Sequence, residues 1–174
     1  MKQGLIASMC LGVSLLAADL SSVIEVPDAS KIIQADLLPP YVKNSMPTGC
    51  ITTDAKAIAR GKYIFHNLNV GAAKGALPEG MSKTDAKGKV KQLGNCVACH
   101  NIEGAVGGGN VGPDLSKYSE IYIGSGVRDA EYVYEKIADP RVDNAHTNMT
   151  VNLTTKLFSP KEICEITSYV ISVK

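Results

Sequence analysis

The segment NCVACH, residues 95–100, constrains this chain more than any other stretch. Two thiols flanking two residues, with an imidazole directly after, suit three chemistries: half of a zinc site, a redox dithiol, or a covalent haem attachment point. Zinc needs a closed set of four donors, normally with a second Cys or His pair at similar spacing. Here the other cysteines, Cys10, Cys50 and Cys164, are isolated, and His66 and His146 stand 80 positions apart. A redox dithiol ordinarily joins a strand to a helix in a βαβ setting. The periodicity of this chain instead predicts helices joined by Gly-rich loops. Haem attachment asks for two thiols at this spacing, a His that reaches iron, and export. The motif therefore reads as the site of one covalent haem c, bonded to Cys96 and Cys99, with His100 as the proximal iron ligand.

Export is what the N-terminus predicts. Lys2 gives a short positive start, residues 5–16 are almost wholly apolar, and Ala17 and Ala18 are small residues at a plausible cleavage point. The apolar run is short for a membrane-spanning helix, which leaves an uncleaved anchor as the alternative. Cys10 suggests lipoprotein processing, but Met9 is not the small residue expected before it. Residues 1–18 are thus expected to be a signal peptide and the protein periplasmic. Without them the chain holds 17 basic and 17 acidic side chains and four cysteines. No basic stripe marks it as a nucleic-acid binder. An oxidising compartment leaves few thiols unpaired. With Cys96 and Cys99 taken by haem, Cys50 and Cys164 are expected to form a disulfide.

Residues 19–49 read as an N-terminal arm and 50–174 as one all-α domain. In the arm, the apolar pairs Val23-Ile24, Ile32-Ile33 and Leu37-Leu38 are broken by Pro27, Pro39, Pro40 and Pro47. Asp28 could cap a short helix that Pro39 ends. A disordered linker is the alternative; the apolar bursts favour an arm lying on a surface, its own or a partner's. Asp54 opens the first core helix, with Ile58, Gly61 and Phe65 on one stripe and His66-Asn67 at its end. Residues 69–93 carry five Gly or Pro and five Lys without periodicity, as an inserted surface loop would. The Gly-rich run GAVGGGNVGPDL, residues 104–115, has neither the following Lys nor the leading strand of a phosphate loop. Arg128–Ala138 has a helical pattern stopped by Pro140. Ser159-Pro160-Lys161-Glu162 is a capping box with Pro at the first helical position. Ile163, Ile166, Tyr169, Val170 and Val173 then form a stripe. We expect this last helix to cross the first at Gly61, with Phe65 near Ile166 and Tyr169.

A rigid turn after the motif could supply the carbonyl that fixes the His100 ring, and Pro113, whose C=O is free, is well placed. The alternative is that Gly112-Pro113 only turns the chain. Candidates for the second iron ligand are Met46, Met81, Met149, His66 and His146. Met149, in the loop VDNAHTNMTVN between two helices, is the first choice and His146 its rival.

The segments LGNCVACH, GGNVGPDL, IADPRV followed by NAHTNM, and SPKEICEITSYV resemble those of a monohaem cytochrome c. More closely, they are similar to the SoxX family, the small cytochrome subunits of SoxAX complexes, over residues 54–174. The resemblance implies a cytochrome c fold and a periplasmic heterodimer with a larger SoxA-like cytochrome. That complex, an L-cysteine S-thiosulfotransferase, joins thiosulfate oxidatively to a cysteine of a SoxYZ-like carrier. This chain would be its non-catalytic electron-transfer subunit, passing electrons to an acceptor cytochrome. A free-standing cytochrome c carrier and a subunit whose haem mainly stabilises the fold are the alternatives.

Overall fold

In the computed structural model, Asp54, Asp129 and Ser159 each open a helix. Helix α1 (Ala55–His66) follows Asp54, whose carboxylate accepts from the Ala57 amide at 2.9 Å. Helix α2 (Ala130–Ala138) follows Asp129, which accepts from the Tyr132 amide at 2.7 Å. Helix α3 (Pro160–Ser172) has the full capping box: the Ser159 hydroxyl accepts from the Glu162 amide, and Glu162 accepts from the Ser159 amide at 2.9 Å. Each cap satisfies an amide that the first turn leaves without a partner. Because Asp129 is a cap, α2 begins two residues later than its periodicity suggests. Short 3₁₀ turns form at Cys96–Ala98 and Pro140–Val142, and a π turn at Ser119–Ile123. Among the described residues, 38–174, no strand forms. The expected signal peptide, Cys10, the short helix at Asp28 and most of the arm lie outside the described residues. Among the described residues, every helix belongs to the unit Pro40–Lys174.

The core is built on the crossing of α1 and α3. A Cβ on Gly61 would lie 2.0 Å from the carbonyl oxygen of Glu165 and 2.9 Å from the Ile166 nitrogen. Only glycine lets the two backbones come this close. One residue before it, Arg60 donates to the Glu165 carboxylate at 2.9 Å, and both side chains are largely buried. One turn beyond, Phe65 and Tyr169 meet edge to face at 5.7 Å. All five residues of the expected α3 stripe are buried. Glu165, Thr167 and Ser168 are buried as well, so α3 is enclosed on nearly every side. Each polar group there has a partner: Thr167 donates to the Ile163 carbonyl, and Ser168 accepts from the Thr52 amide.

Two further ties fix the edges. Cys50 and Cys164 are joined as a disulfide with Cα atoms 5.0 Å apart, linking the chain before α1 to the second turn of α3. Residues at the end of the arm lie on the domain's own surface: Tyr41 and the Asn44 amide both donate at 2.8 Å to Glu135, a buried carboxylate of α2. The inserted loop is more ordered than its composition suggests. It doubles back on itself, with isolated bridges pairing Asn69 with Gln92 and Thr84 with Val90. Arg60 donates to the Glu79 carbonyl, and Lys91 forms an ion pair with Glu162 of α3.

Gly61→Ala should force the helices apart despite Ala's better helix propensity, costing on the order of 1–3 kcal/mol. Thermal unfolding should fall by several degrees; an unchanged Tm would refute the close crossing. Cutting the disulfide removes a loop constraint for which the chain-entropy model gives about 4–5 kcal/mol. Mass spectrometry of a non-reduced digest should find Cys50 and Cys164 in one linked pair of peptides. Quantitative alkylation of either thiol without reductant would show the bond to be absent.

Candidate functional site

The motif sits on a tight turn that two neighbouring segments hold. The Cys99 and His100 amides both donate to the Cys96 carbonyl, at 3.1 and 2.9 Å. Entry into the turn needs a left-handed residue, and Asn95 takes it with φ of 46°; Asn is among the few non-glycine residues that adopt this readily. The end of α1 anchors the entry. The Ile64 carbonyl accepts from Gly94 at 3.0 Å, and the Asn67 carbonyl accepts from Asn95 at 2.9 Å. Gly94 is needed for contact: a Cβ there would stand 2.7 Å from Cys96 Sγ and 3.2 Å from the Ile64 oxygen.

The Gly-rich run closes over the other side of the turn. Gly109 donates to the Val97 carbonyl and Gly112 to the Cys99 carbonyl, at 2.9 and 2.8 Å. A Cβ on Gly109 would collide with the Ala98 carbonyl at 2.1 Å, and one on Gly112 would press the His100 ring at 2.4 Å. These glycines pack against the motif. Beyond them, Asp114, an exposed residue, accepts from Asn101 and from the Ser116 amide. These hydrogen bonds, led by Asn101, hold its carboxyl below the usual carboxylate range.

His100 Nδ1 lies 2.9 Å from the Pro113 carbonyl oxygen. Nδ1 must carry the proton and donate, because a carbonyl only accepts. The neutral ring then keeps the Nε2 lone pair for a metal. Nε2 has no hydrogen-bond partner among the described residues, and Cys96 and Cys99 are both free thiols. This donor set fits a haem held through two thioethers and one imidazole. Cys96, Cys99, His100 and Pro113 thus come together in one small unit.

Met149 comes from a separate loop. It is half-buried and packs against the hydrophobic core, whereas His146 is exposed. His66 is engaged elsewhere: its Nε2 lies 2.7 Å from the Tyr169 hydroxyl, and burial, then Lys62, lowers its pKa. Met46 and Met81 also rest against the core, so partial burial alone does not single out Met149. Its loop is distinguished by how firmly both ends are fixed. At the start, Lys136 donates to the Pro140 carbonyl and pairs with Asp143, which also accepts from Tyr132 at 2.8 Å. Asp139 pairs with Arg141, whose hydrogen bonds hold that carboxyl below its ordinary range. At the end, buried Asn152 donates its backbone amide to the Ala138 carbonyl and its side-chain amide to the Ile137 carbonyl, at 3.0 and 2.7 Å. These are carbonyls that the last turn of α2 leaves open. Sequence reasoning passed over Asn152 and Asp143, which carried no local signal, and read Gly112 only as part of a turn, not as a contact of the His100 ring.

A model of the cytochrome c family matches residues 58–174. No curated protein matches the chain.

Gly112→Ala tests the packing on His100. The methyl group must displace the imidazole or the 109–113 backbone, loosening the Nδ1–Pro113 hydrogen bond. We expect a broadened or shifted low-spin electron paramagnetic resonance signal of the oxidised protein, with haem still covalently attached. A spectrum identical to wild type would show that Gly112 does not set the ring.

Proposed function

This chain belongs to the cytochrome c family, and from that premise we propose that it is the small electron-transfer subunit of a SoxAX-type complex in the periplasm. Family membership makes it an electron-transfer protein with covalently bound haem c. In our reading Cys96 and Cys99 carry the thioether bonds, His100 Nε2 is one iron ligand and the Met149 thioether the other. When bound, the haem supplies a one-electron ferric–ferrous couple. His100, fixed by Pro113, holds its ring in one orientation, and a thioether ligand from Met149 would favour the ferrous form and a raised potential. Were His100 and Met149 both to bind the iron, this haem would take electrons and not substrate. The chain's task is then to accept and release electrons, while sulfur chemistry falls to a larger SoxA-like cytochrome acting on a SoxYZ-like carrier.

One observation carries the haem assignment: the imidazole has one nitrogen committed to Pro113 and the other free, beside two free thiols. The SoxAX assignment is supported by the motif segments and by the N-terminal extension, whose end is held against Glu135 of α2. A freely diffusing carrier gains little from such an extension. In a strain that makes the partner, affinity purification of the tagged full chain should bring down a larger cytochrome, with haem staining on both polypeptides. Recovery of this chain alone, fully haem-loaded, would favour the free-standing carrier.

Met149→Ala should abolish the methionine–iron charge-transfer band of the oxidised protein and lower its potential, with the haem still attached. His146→Ala should leave both unchanged. The reverse pattern would move the ligand assignment to His146.

A further inference from the structure

The chain's charge is nearly balanced overall, yet residues 69–93 hold five Lys against one Glu and one Asp, a local excess of +3. Lys74, Lys83, Lys87 and Lys89 are exposed and form no salt bridge among the described residues. The turn that carries three of them is held in shape. Asp85 accepts from the Lys87 and Lys89 amides at 2.8 and 2.9 Å, and its amide donates to the Lys89 carbonyl at 2.8 Å. The Lys91 amide donates across to the Lys83 carbonyl at 3.1 Å. The one acidic side chain at the tip is therefore spent on turning the backbone. Val90, between Lys89 and Lys91, leaves about half its surface exposed.

Below the turn lies a cleft of about 610 Å³, between Asp85–Ala86 and Lys91–Gln92 on one side and Leu153 with residues 156–160 on the other. Leu153, Leu157 and Phe158 give it apolar walls, and exposed Lys156 stands on its rim. Glu162, the acidic residue at its base, is neutralised by Lys91. Burial alone would raise the Glu162 carboxyl, but Lys91 and Ser159 together hold it below its ordinary range. One lining residue, Phe158, also lies close to the Cys96–His100 motif: its Cζ stands 3.5 Å, and Cys96 Sγ 2.7 Å, from the point where Gly94 would carry a Cβ.

We propose that the 83–91 turn and the cleft beneath it form a docking surface for a redox protein with a carboxylate-rich face and an apolar side chain that enters between Leu153 and Leu157. Unpaired lysines on a preformed turn attract such a face without an ordering cost, and the apolar walls supply the short-range contact. Docking here would bring the partner against Phe158, beside the Cys96 attachment point. The partner's role rests on the electron-transfer reading above; the contact itself does not.

The probe is a short synthetic peptide of Glu pairs separated by Leu, titrated into the full-length holoprotein and followed by fluorescence anisotropy. A matched peptide with Lys in place of Glu serves as control. The Glu peptide should bind and weaken steadily as salt is added, and the Lys peptide should not bind. K83E/K87E/K89E, which changes only exposed side chains, should weaken binding by about tenfold, from the sum of three small surface charge terms. L153A should weaken it at constant charge. Both variants should keep the wild-type haem spectrum and circular dichroism. No binding of the Glu peptide, or binding that ignores K83E/K87E/K89E, would overturn the proposal. Peptide binding that survives while the Met149→Ala test fails would sink the ligand assignment alone.

Discussion

Where the side chain of residue 61 would stand, the carbonyl of Glu165 already lies, 2.0 Å from the position of a Cβ. That contact sets the distance between α1 and α3, and other parts of the domain take their positions from it. With the axes this close, Arg60 reaches Glu165 and Phe65 meets Tyr169. The last turn of α1 is thereby placed, and its Ile64 carbonyl and that of Asn67 just after it receive the amides of Gly94 and Asn95. These bonds start the turn that carries Cys96, Cys99 and His100. A contact between two backbones thus fixes a chemical site some thirty residues further along the chain.

The helices alone could not hold this site. They contribute 12, 9 and 13 residues, so most of the described chain is loop and needs other restraints. Buried polar side chains provide them. Glu135 holds the end of the arm, Glu165 holds Arg60, Asp139 holds Arg141, and Asn152 closes the end of α2 while anchoring the Met149 loop. Leaving such a group without its partner costs more than the bond itself contributes, about 1–3 kcal/mol for a neutral group and more for a charge. The clamps therefore specify loop positions more strongly than their modest net stabilisation suggests.

What could be read from the sequence follows from the range of each interaction. Caps at Asp54 and Ser159 act over three residues, so they are visible locally. The α3 stripe shows as a period, and Gly61 shows as a glycine where a helix would otherwise avoid one. Pro113 was accessible because the haem reading demanded a carbonyl a short distance after His100. Arg60–Glu165 and Tyr41–Glu135 were not, since their partners lie 105 and 94 residues apart and each residue alone resembles an ordinary surface charge. The pairing within 69–93 was hidden for another reason. It consists of two isolated bridges and a carboxylate-braced turn, without the alternating pattern that announces strands.

Glycine does different work on the two sides of the motif. Gly61 and Gly94 hold the motif against the helical core, and a larger residue at either would meet backbone or sulfur. Gly109 and Gly112 draw the following loop against the motif, so that Pro113 can face Nδ1 of His100. The first pair determines where the two thiols lie; the second determines how the imidazole is turned. Losing the first should unsettle the fold before it reaches the iron ligand, whereas losing the second reaches the ligand directly, through a loop that adds little to the core. A haem bonded through both thiols would be tied covalently to the motif alone, at Cys96 and Cys99. The orientation of the proximal ring would still depend on a single hydrogen bond to a loop that only glycine allows so close.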